Sequence, residues 1–212
     1  MEMEKVDILL PPTFEKSGVV KTRAQADEDG DWIAGFNLWI VQRVPVPAIV
    51  YQRRSLNSKW EPGKLDVSAG GHLQAGEEPL EGIREAREEL GRDYPAEALY
   101  SVGRRLNISP NTRGVMLHRL CHLFLVEDNT PIEQYTLDER EVSAVCVCPI
   151  ADVIRAYQEP GYAFDVDGLD AKRAPIHLRV DAQSFPYNWD QYLYKMALIA
   201  ERFLSGERPI LY

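Results

Sequence analysis

Acidic side chains are concentrated in one short segment of the chain, at positions where they could hold a divalent cation. Glu81, Glu85, Glu88 and Glu89 recur at offsets of four, seven and eight residues, which places all four on one face of an α-helix. Like charges at such spacings destabilise a helix by a few tenths of a kcal/mol per pair, so a bound cation would relieve their repulsion. Carboxylate oxygens are the ligands that Mg²⁺ or Mn²⁺ prefers. We therefore expect a hard divalent ion here, and the alternative is a solvated acidic helix.

The residues around these glutamates predict the helix itself and a turn that precedes it. Pro79 suits the first turn of a helix, and Gly91 suits the residue just after its end. Gly70 and Gly71 follow a short predicted strand, and their lack of a Cβ lets the backbone approach another group closely. The side of the helix opposite the glutamates carries Leu80, Ile83, Ala86 and Leu90.

Together these residues resemble the Nudix box, whose pattern is G-x5-E-x7-R-E-U-x-E-E-x-G-U, with U a bulky aliphatic residue. The matching residues are Gly71, Glu77, Arg84, Glu85, Glu88, Glu89 and Gly91. Six residues rather than seven separate Glu77 from Arg84, and Ala86 and Arg92 stand where the pattern has bulky aliphatic residues. Because the spacing after Arg84 is intact, we expect the turn before the helix to absorb the missing residue.

The resemblance implies a fold, an activity and a set of site residues. The fold is α/β (α+β), a Nudix-type α/β/α sandwich with a mixed sheet. The activity is Mg²⁺- or Mn²⁺-dependent hydrolysis of a diphosphate linkage in a nucleoside diphosphate-type or related organic diphosphate. The alternative is a non-catalytic Nudix-fold module that binds a nucleotide or a protein. The implied metal ligands are Gly70, Glu85, Glu88 and Glu89, the implied catalytic residues are Glu85 and Glu88, and the implied supporting residues are Gly71, Glu77 and Arg84.

The layout of the first half of the chain resembles the isomerase-like branch of this family. Isopentenyl-diphosphate isomerases use a Cys followed shortly by a His at the position of the two glycines. This chain keeps His72, but Gly70 stands where the catalytic Cys would be. The resemblance therefore favours hydrolysis over isomerisation.

Basic residues on both sides of the box are candidates for binding the phosphates of a substrate. Those before the helix are Arg53, Arg54, Lys59, Lys64 and His72, and those after it are Arg104, Arg105 and Arg113. Glu141, two residues after Glu139, is a candidate for a further metal ligand, a base or a substrate contact. The ordinary alternatives are solubilising charge for the basic residues and a solvated turn for the two glutamates.

His118 and His122 are four residues apart, a spacing that would suit a metal pair on a helix. The residues around them alternate as in a strand, where positions i and i+4 share a face. We therefore expect structural histidines, with substrate contact and metal binding as alternatives.

Composition limits the classes of partner and compartment. A net charge of −9 argues against a general nucleic-acid or anionic-membrane binder. No apolar run approaches the roughly 20 residues of a membrane span, and the first residues lack a signal-peptide pattern. Three cysteines, an odd number, predict reduced thiols in a cytoplasmic protein, with a zinc site as the alternative. The expected partner is a small-molecule diphosphate, and a homodimer is left open.

The 212 residues are expected to form a single domain, with a core at about 36–158, a lead-in at 1–35 and an extension at 159–212. The lead-in should be poorly regular from residue 16 to residue 35, with a short strand at Val19–Val20 as the alternative there, and residues 159–184 should form a loop. Strands are predicted at 6–10, 36–43, 48–54, 65–69, 100–108, 115–126 and 142–148, and further helices at 150–157 and 189–204.

Overall fold

A computed structural model describes residues 4–111 and 113–212. The strands are β1 (Lys5–Leu10), β2 (Glu15–Thr22), β3 (Trp32–Gln42), β4 (Ala48–Arg54), β5 (Leu65–Asp66), β6 (Ala69–His72), β7 (Tyr100–Pro110), β8 (Met116–Glu127), β9 (Val142–Pro149), β10 (Phe164–Asp170) and β11 (Pro175–Val180). The α-helices are α1 (Arg23–Asp29), α2 (Arg84–Leu90), α3 (Ile150–Gln158) and α4 (Tyr192–Leu204).

The sheet is organised around β3, whose two edges pair with four other strands. One edge runs parallel to β8 over ten residue pairs, from Trp32 with His118 to Val41 with Glu127. The other edge pairs antiparallel with β1, then β6, then β4. The sheet is therefore mixed, and β6 with its two glycines lies beside the middle of the central strand.

Successive residues of β3 point to opposite faces of the sheet, and each face is covered by helix. Phe36, Leu38 and Ile40 pack with Ala86 and Leu90 of α2. Trp39 and Val41 belong to the other core, with buried residues of α3 and α4 that include Val153 and Met196. The predicted α/β/α sandwich with a mixed sheet is confirmed, because the sheet lies between these two helical layers.

The prediction of a poorly regular lead-in is wrong. Residues of this segment form β2, which pairs with β1, and α1, which follows it. Thr22 caps the start of α1 by accepting a hydrogen bond from the backbone of Gln25, and Gly30 ends the helix in the left-handed conformation with φ of 70°. Because α1 buries only Ala26, its sequence carries little of the apolar periodicity that signals a helix.

The prediction of a loop at 159–184 is also wrong, since β10 and β11 form an antiparallel hairpin there. Phe164 and Val166 are buried while Asp165 and Asp167 are exposed, which is the alternation of a half-buried strand. Aspartate is depleted in strands, and its presence here hides the pattern. Three smaller boundaries also differ: β3 begins at Trp32 rather than at residue 36, residues 65–72 contain two short strands rather than one, and the last helix begins at Tyr192.

The structure also shows the state of the three cysteines and the character of the helices, for which the sequence predicted reduced thiols and no membrane span. Cys121, Cys146 and Cys148 are buried free thiols. Burial raises the pKa of Cys121 to about 11 and that of Cys146 to about 12, so both are protonated near neutral pH. Of the helices that the described residues form, none combines the length and apolar character needed to cross a membrane.

Candidate active site

The helix of the box begins with a 3₁₀ turn, which lies in the segment that is one residue short. Residues Pro79–Ile83 form a 3₁₀-helix that continues directly into α2 at Arg84. A 3₁₀-helix turns about 120° per residue and an α-helix about 100°, so five residues add roughly 100° of rotation. This equals the rotation of one α-helical residue. The helix after Arg84 can therefore keep its rotational register although the box is one residue short.

Two of the box glutamates are buried against the backbone of the two glycines. Glu89 is 4% exposed, and its Oε2 accepts hydrogen bonds from the Gly70 N–H at 2.9 Å and from Gln52 Nε2 at 3.4 Å. The side chain of Glu85 is 11% exposed, and a Cβ added to Gly71 would lie 2.1 Å from its Oε1. A glycine is therefore required at position 71 for Glu85 to occupy this place.

Glu81 does not belong to this group, which corrects the expectation of four carboxylates on one helical face. It lies in the exposed 3₁₀ turn, where its carboxylate accepts the backbone N–H of Glu78 at 2.7 Å as part of a capping box. Leu80, expected on the apolar side, is 42% exposed. Gly82 is buried there instead, where a Cβ would lie 2.5 Å from Phe36 Cβ.

Arg84 holds the glutamates of the box in place. Its Nε donates to Glu77 Oε1 at 2.7 Å, so the shortened box still forms this ion pair. Its Nη1 donates to Glu85 Oε1 at 2.8 Å and to Glu88 Oε2 at 3.0 Å, and its Nη2 donates to the His72 carbonyl at 2.9 Å. The side chain of Glu88 is 51% exposed. Arg84 is therefore the cation that Glu85 and Glu88 share in this structure.

Once ionised, the buried carboxylates would exceed the positive charge that Arg84 supplies, so they hold their protons more tightly than exposed ones do. Burial raises the pKa of Glu85 to about 7 against the opposing effect of Arg84, and the charges of Glu88 and Glu141 contribute to the rise. Burial also raises the pKa of Glu89 well above its usual range, and the charges of Glu85 and Glu141 add to this. The structure thus brings Glu141 close enough to act on both glutamates.

This donor set fits a hard divalent ion, because buried carboxylate oxygens with an excess of negative charge are its preferred surroundings. Within residues 4–111 and 113–212, however, no three Asp, Glu, His or Cys side chains are already grouped around one point. Glu88 is directed to Arg84. An ion held jointly by Glu85, Glu88 and Glu89 would therefore replace part of this contact with Arg84.

A cavity of about 870 Å³ adjoins the glutamates, and the two glycines connect the two features. Gly70 and Gly71 line the cavity, as does Gln52, which contacts Glu89. The cavity is basic although the chain is acidic overall. Its charged lining residues are Arg23, Arg54, Lys59, Arg105, Arg113 and Arg119, against Asp27 and Asp66.

Only some of the residues proposed from sequence for substrate binding line the cavity. Arg54, Lys59, His72, Arg105 and Arg113 line the cavity, whereas Arg104 does not, since it is exposed on the opposite face of β7. Arg53 instead donates to the Gly63 carbonyl at 3.1 Å, and Lys64 donates to the Gln183 carbonyl. Arg53 and Lys64 are therefore engaged outside the cavity wall, and a substrate contact by either would require a different side-chain conformation.

Several cavity residues come from segments that the sequence motif does not cover. Arg23 and Asp27 lie on α1, and Asn188 and Tyr192 come from the C-terminal extension. On β7, the cavity residues Arg105, Asn107 and Ser109 alternate in sequence, and this period of two is the signal that could have identified the cavity face of the strand.

His118 and His122 lie on β8, as predicted, and His118 has structural partners. His118 Nδ1 is 2.9 Å from the Gly30 carbonyl, and its ring lies 5.0 Å from that of Trp32. His122 and Leu120 line a second, smaller hollow of about 340 Å³ near the entrance to the box helix.

Gly71→Ala is expected to displace Glu85 and to weaken any stabilisation of the fold by Mg²⁺ or Mn²⁺ by at least about tenfold in apparent affinity. The reason is steric, since the new Cβ would occupy the position of the Glu85 carboxylate. Gly35→Ala on β3 is the matched control, because a Cβ there meets only ordinary contacts at 3.4 Å and beyond. Thermal melts at increasing metal concentrations measure the apparent metal affinity of both variants. Equal metal responses in the two variants would contradict this account of Glu85.

The sequence of this chain matches one protein-family model and is similar to relatives with names from the same family. The NUDIX domain matches residues 37–166. An uncharacterized Nudix hydrolase of Clostridium acetobutylicum is 30% identical over 139 residues, covering 64% of this chain and 66% of its own length. Nudix hydrolase 3 of Arabidopsis thaliana is 30% identical over 196 residues, covering 87% of this chain and 25% of its own length. This chain thus spans about two thirds of the first protein and a quarter of the second.

A crystal structure from Deinococcus radiodurans has a similar fold. It superposes with a TM-score of 0.57 at 20% identity, over 74% of this chain and 90% of the other.

Proposed function

The chain belongs to the NUDIX domain family, and we propose that it hydrolyses a diphosphate linkage in a small organic substrate with the help of Mg²⁺ or Mn²⁺. The observation that carries this proposal is the pair of buried glutamates, Glu85 and Glu89, held against the Gly70–Gly71 backbone with too little positive charge to balance them. The names of the two curated relatives, both Nudix hydrolases, support the same reaction class.

In this proposal each box residue has a defined task. Glu85, Glu88 and Glu89, with the Gly70 carbonyl, would hold the divalent ions. When bound, such ions offset the charge of phosphate oxygens and lower the pKa of water. Glu85 or Glu141 would accept a proton from the attacking water. Arg84 orients Glu85 and Glu88 through its hydrogen bonds, and Glu77 in turn fixes Arg84.

Isomerase chemistry is a poor fit, although the sequence resembles the isomerase-like branch. That chemistry places a Cys at the position of Gly70, where a Cβ would lie 2.8 Å from the Phe36 carbonyl oxygen. Such a distance requires the backbone to move. A thiol therefore cannot be introduced at this position without disturbing the pairing of β3 and β6.

The second candidate function is a Nudix-fold module that binds its ligand without cleaving it, and the shortened box favours this alternative. The 3₁₀ turn at Pro79–Ile83 weakens that support, because its larger rotation per residue can replace the rotation of one α-helical residue.

A panel of mixed diphosphates separates the two functions. We expect Mg²⁺- or Mn²⁺-dependent release of phosphate, pyrophosphate or a nucleoside monophosphate from at least one member. The panel contains nucleoside di- and triphosphates, dinucleotides, nucleotide sugars, and isoprenoid and thiamine diphosphates. A binding module would instead bind a member of the panel without cleaving it. Its product release with either metal would then be no higher than that of the Glu89→Gln variant.

A further inference from the structure

Arg105 is a buried arginine in the cavity wall, and its neighbours fix it in one orientation. It is 4% exposed, on β7. Its Nε donates to Asp190 Oδ2 at 2.8 Å, and its Nη2 donates to Asp190 Oδ1 at 2.9 Å and to Asn188 Oδ1 at 2.8 Å. Its guanidinium lies 4.1 Å from the ring centre of Tyr192. One edge and one face of the guanidinium are thus occupied by the C-terminal extension.

The Nη1 group of the Arg105 guanidinium is available to a ligand. Among residues 4–111 and 113–212, no group accepts a hydrogen bond from its Nη1, and the residue lines the cavity. A guanidinium held by a carboxylate on one edge presents its other N–H groups in a fixed geometry that matches phosphate oxygens. The arrangement is therefore prepared for an oxyanion.

Arg119 presents a second buried guanidinium to the same cavity from the neighbouring strand. It is 7% exposed, and Asp27 of α1 is its acidic partner. Its Nε also donates to His72 Nε2 at 3.2 Å and its Nη1 to the His118 carbonyl at 3.1 Å. Asn107, which pairs with Arg119 across β7 and β8, also lines the cavity and lies two residues from Arg105 on the same face. Two arginines and an amide thus converge on one part of the cavity.

Arg105 marks the end of this part of the cavity that lies far from the place where the diphosphate would react, whereas Arg119 lies between the two and contacts His72. Arg105 pairs with Cys121, Cys121 with Gly35, and Gly35 with His72 next to the box glycines. Three strand spacings correspond to roughly 14 Å between the backbones of Arg105 and His72. In addition, divalent ions at the glutamates would already offset much of the charge of a diphosphate, whereas the cavity lining has six Lys or Arg against two Asp.

We propose that Arg105, with Asn107 and Arg119, binds a second phosphate group of the substrate, at a distance from the diphosphate that is cleaved. The substrate class is then an organic diphosphate that also carries a phosphomonoester. This inference rests on the proposed function for its reaction, but the binding of phosphate by Arg105 does not depend on hydrolysis. Two segments outside the matched NUDIX region, α1 and the C-terminal extension, supply the carboxylates that orient the two arginines.

The kinetic test compares diphosphates that differ by one phosphomonoester, coenzyme A with dephospho-coenzyme A and NADPH with NADH. We expect wild-type kcat/KM to favour the phosphorylated members by about 10- to 100-fold, the range of one or two charge-assisted hydrogen bonds. In Arg105→Gln this preference should fall to about one. Because Arg105→Gln leaves Asp190 buried without its cation, the double variant Arg105→Gln/Asp190→Asn is measured as well, since it removes both charges and leaves net charge unchanged.

Arg104→Gln is the matched control, because Arg104 is exposed on the opposite face of β7 and its loss changes the net charge without changing the cavity. It should keep the wild-type preference. Wild-type protein that hydrolyses both members of each pair equally well, or an Arg105 variant that keeps the preference, would overturn the proposal.

A binding measurement without metal separates this proposal from the proposed function. Inorganic phosphate is titrated by calorimetry into wild type, Arg104→Gln and the double variant in the presence of EDTA. We expect equal Kd values for the first two proteins and a Kd at least about tenfold weaker for the double variant. Equal Kd values for all three would refute the phosphate site. If the protein hydrolyses no diphosphate but binds phosphate in the expected pattern, the proposed hydrolase function is refuted and the phosphate site at Arg105 is supported.

Discussion

Glu89→Gln is expected to remove most of the hydrolytic activity. The change deletes a negative charge and keeps the shape of a side chain that is buried beside Gly70. Loss of such a group should cost about 2–4 kcal/mol of transition-state stabilisation, or roughly 30- to 1,000-fold in kcat/KM. Glu88→Gln should have an effect of the same order, because only a carboxylate at this exposed position can turn from Arg84 to an ion.

The control for this prediction is Glu201→Gln, an equal change of charge at an exposed position of α4, on the other helical layer. It should leave kcat/KM within about twofold, as expected of a surface substitution. Rates are measured at saturating Mg²⁺ on whichever diphosphate the panel identifies. Near-wild-type turnover by both Glu88→Gln and Glu89→Gln would remove these residues from the proposed metal site.

The metal-free protein is expected to lose stability as the pH rises from about 4.5 to about 7. Burial raises the pKa of Glu85 from 4.5 to about 7, so the folded state binds the proton more tightly than the unfolded chain. The resulting stability is fully present below the unfolded value and is lost as the pH passes the folded value. For Glu85 alone the loss is about 3 kcal/mol, and the raised pKa of Glu89 acts in the same direction.

Divalent ion should reverse this loss above pH 7, because it binds the ionised carboxylates of the folded state. At a concentration 100 times Kd the gain is about 2.7 kcal/mol, which corresponds to a rise in Tm of roughly 5–10 °C for a chain of this size. Melts at pH 5 and pH 8, with EDTA or with Mn²⁺, measure both effects. The double variant Glu85→Gln/Glu89→Gln should show a flatter pH dependence and no metal response. If the wild-type Tm is the same at pH 5 and pH 8 and with or without Mn²⁺, the assignment of raised pKa values and metal binding to Glu85 and Glu89 is contradicted.

The local pattern of the box was sufficient to predict the box helix and its surroundings. Pro79 and Gly91 bound the helical segment, Ala86 and Leu90 pack on the sheet, and the strands before and after appear close to their predicted positions. These features are predictable because they depend on the order and period of nearby residues. The lead-in and the β10–β11 hairpin were missed for the same reason, since their polar and acidic residues weaken the periodic signal.

Sequence alone also identified the glutamates as a group, but it could not assign their environments. Spacing treats Glu81, Glu85, Glu88 and Glu89 alike, whereas the tertiary structure makes Glu81 a helix cap, buries Glu85 and Glu89, and gives Glu88 to Arg84. Burial depends on what packs against each position, and the pKa of a carboxyl follows burial and neighbouring charge.

The basic cavity was decided entirely by tertiary structure. The sequence named Arg105 as one of several candidate phosphate contacts and did not name Arg119. Both become buried donors only because β7 and β8 pair with the same face toward α1 and the C-terminal extension. Asp27 and Asp190 lie 92 and 85 residues from their arginine partners. The sequence therefore determined the proposed reaction site, where the residues are local, and the fold determined the cavity, because contacts between distant segments leave no periodic signal in the sequence.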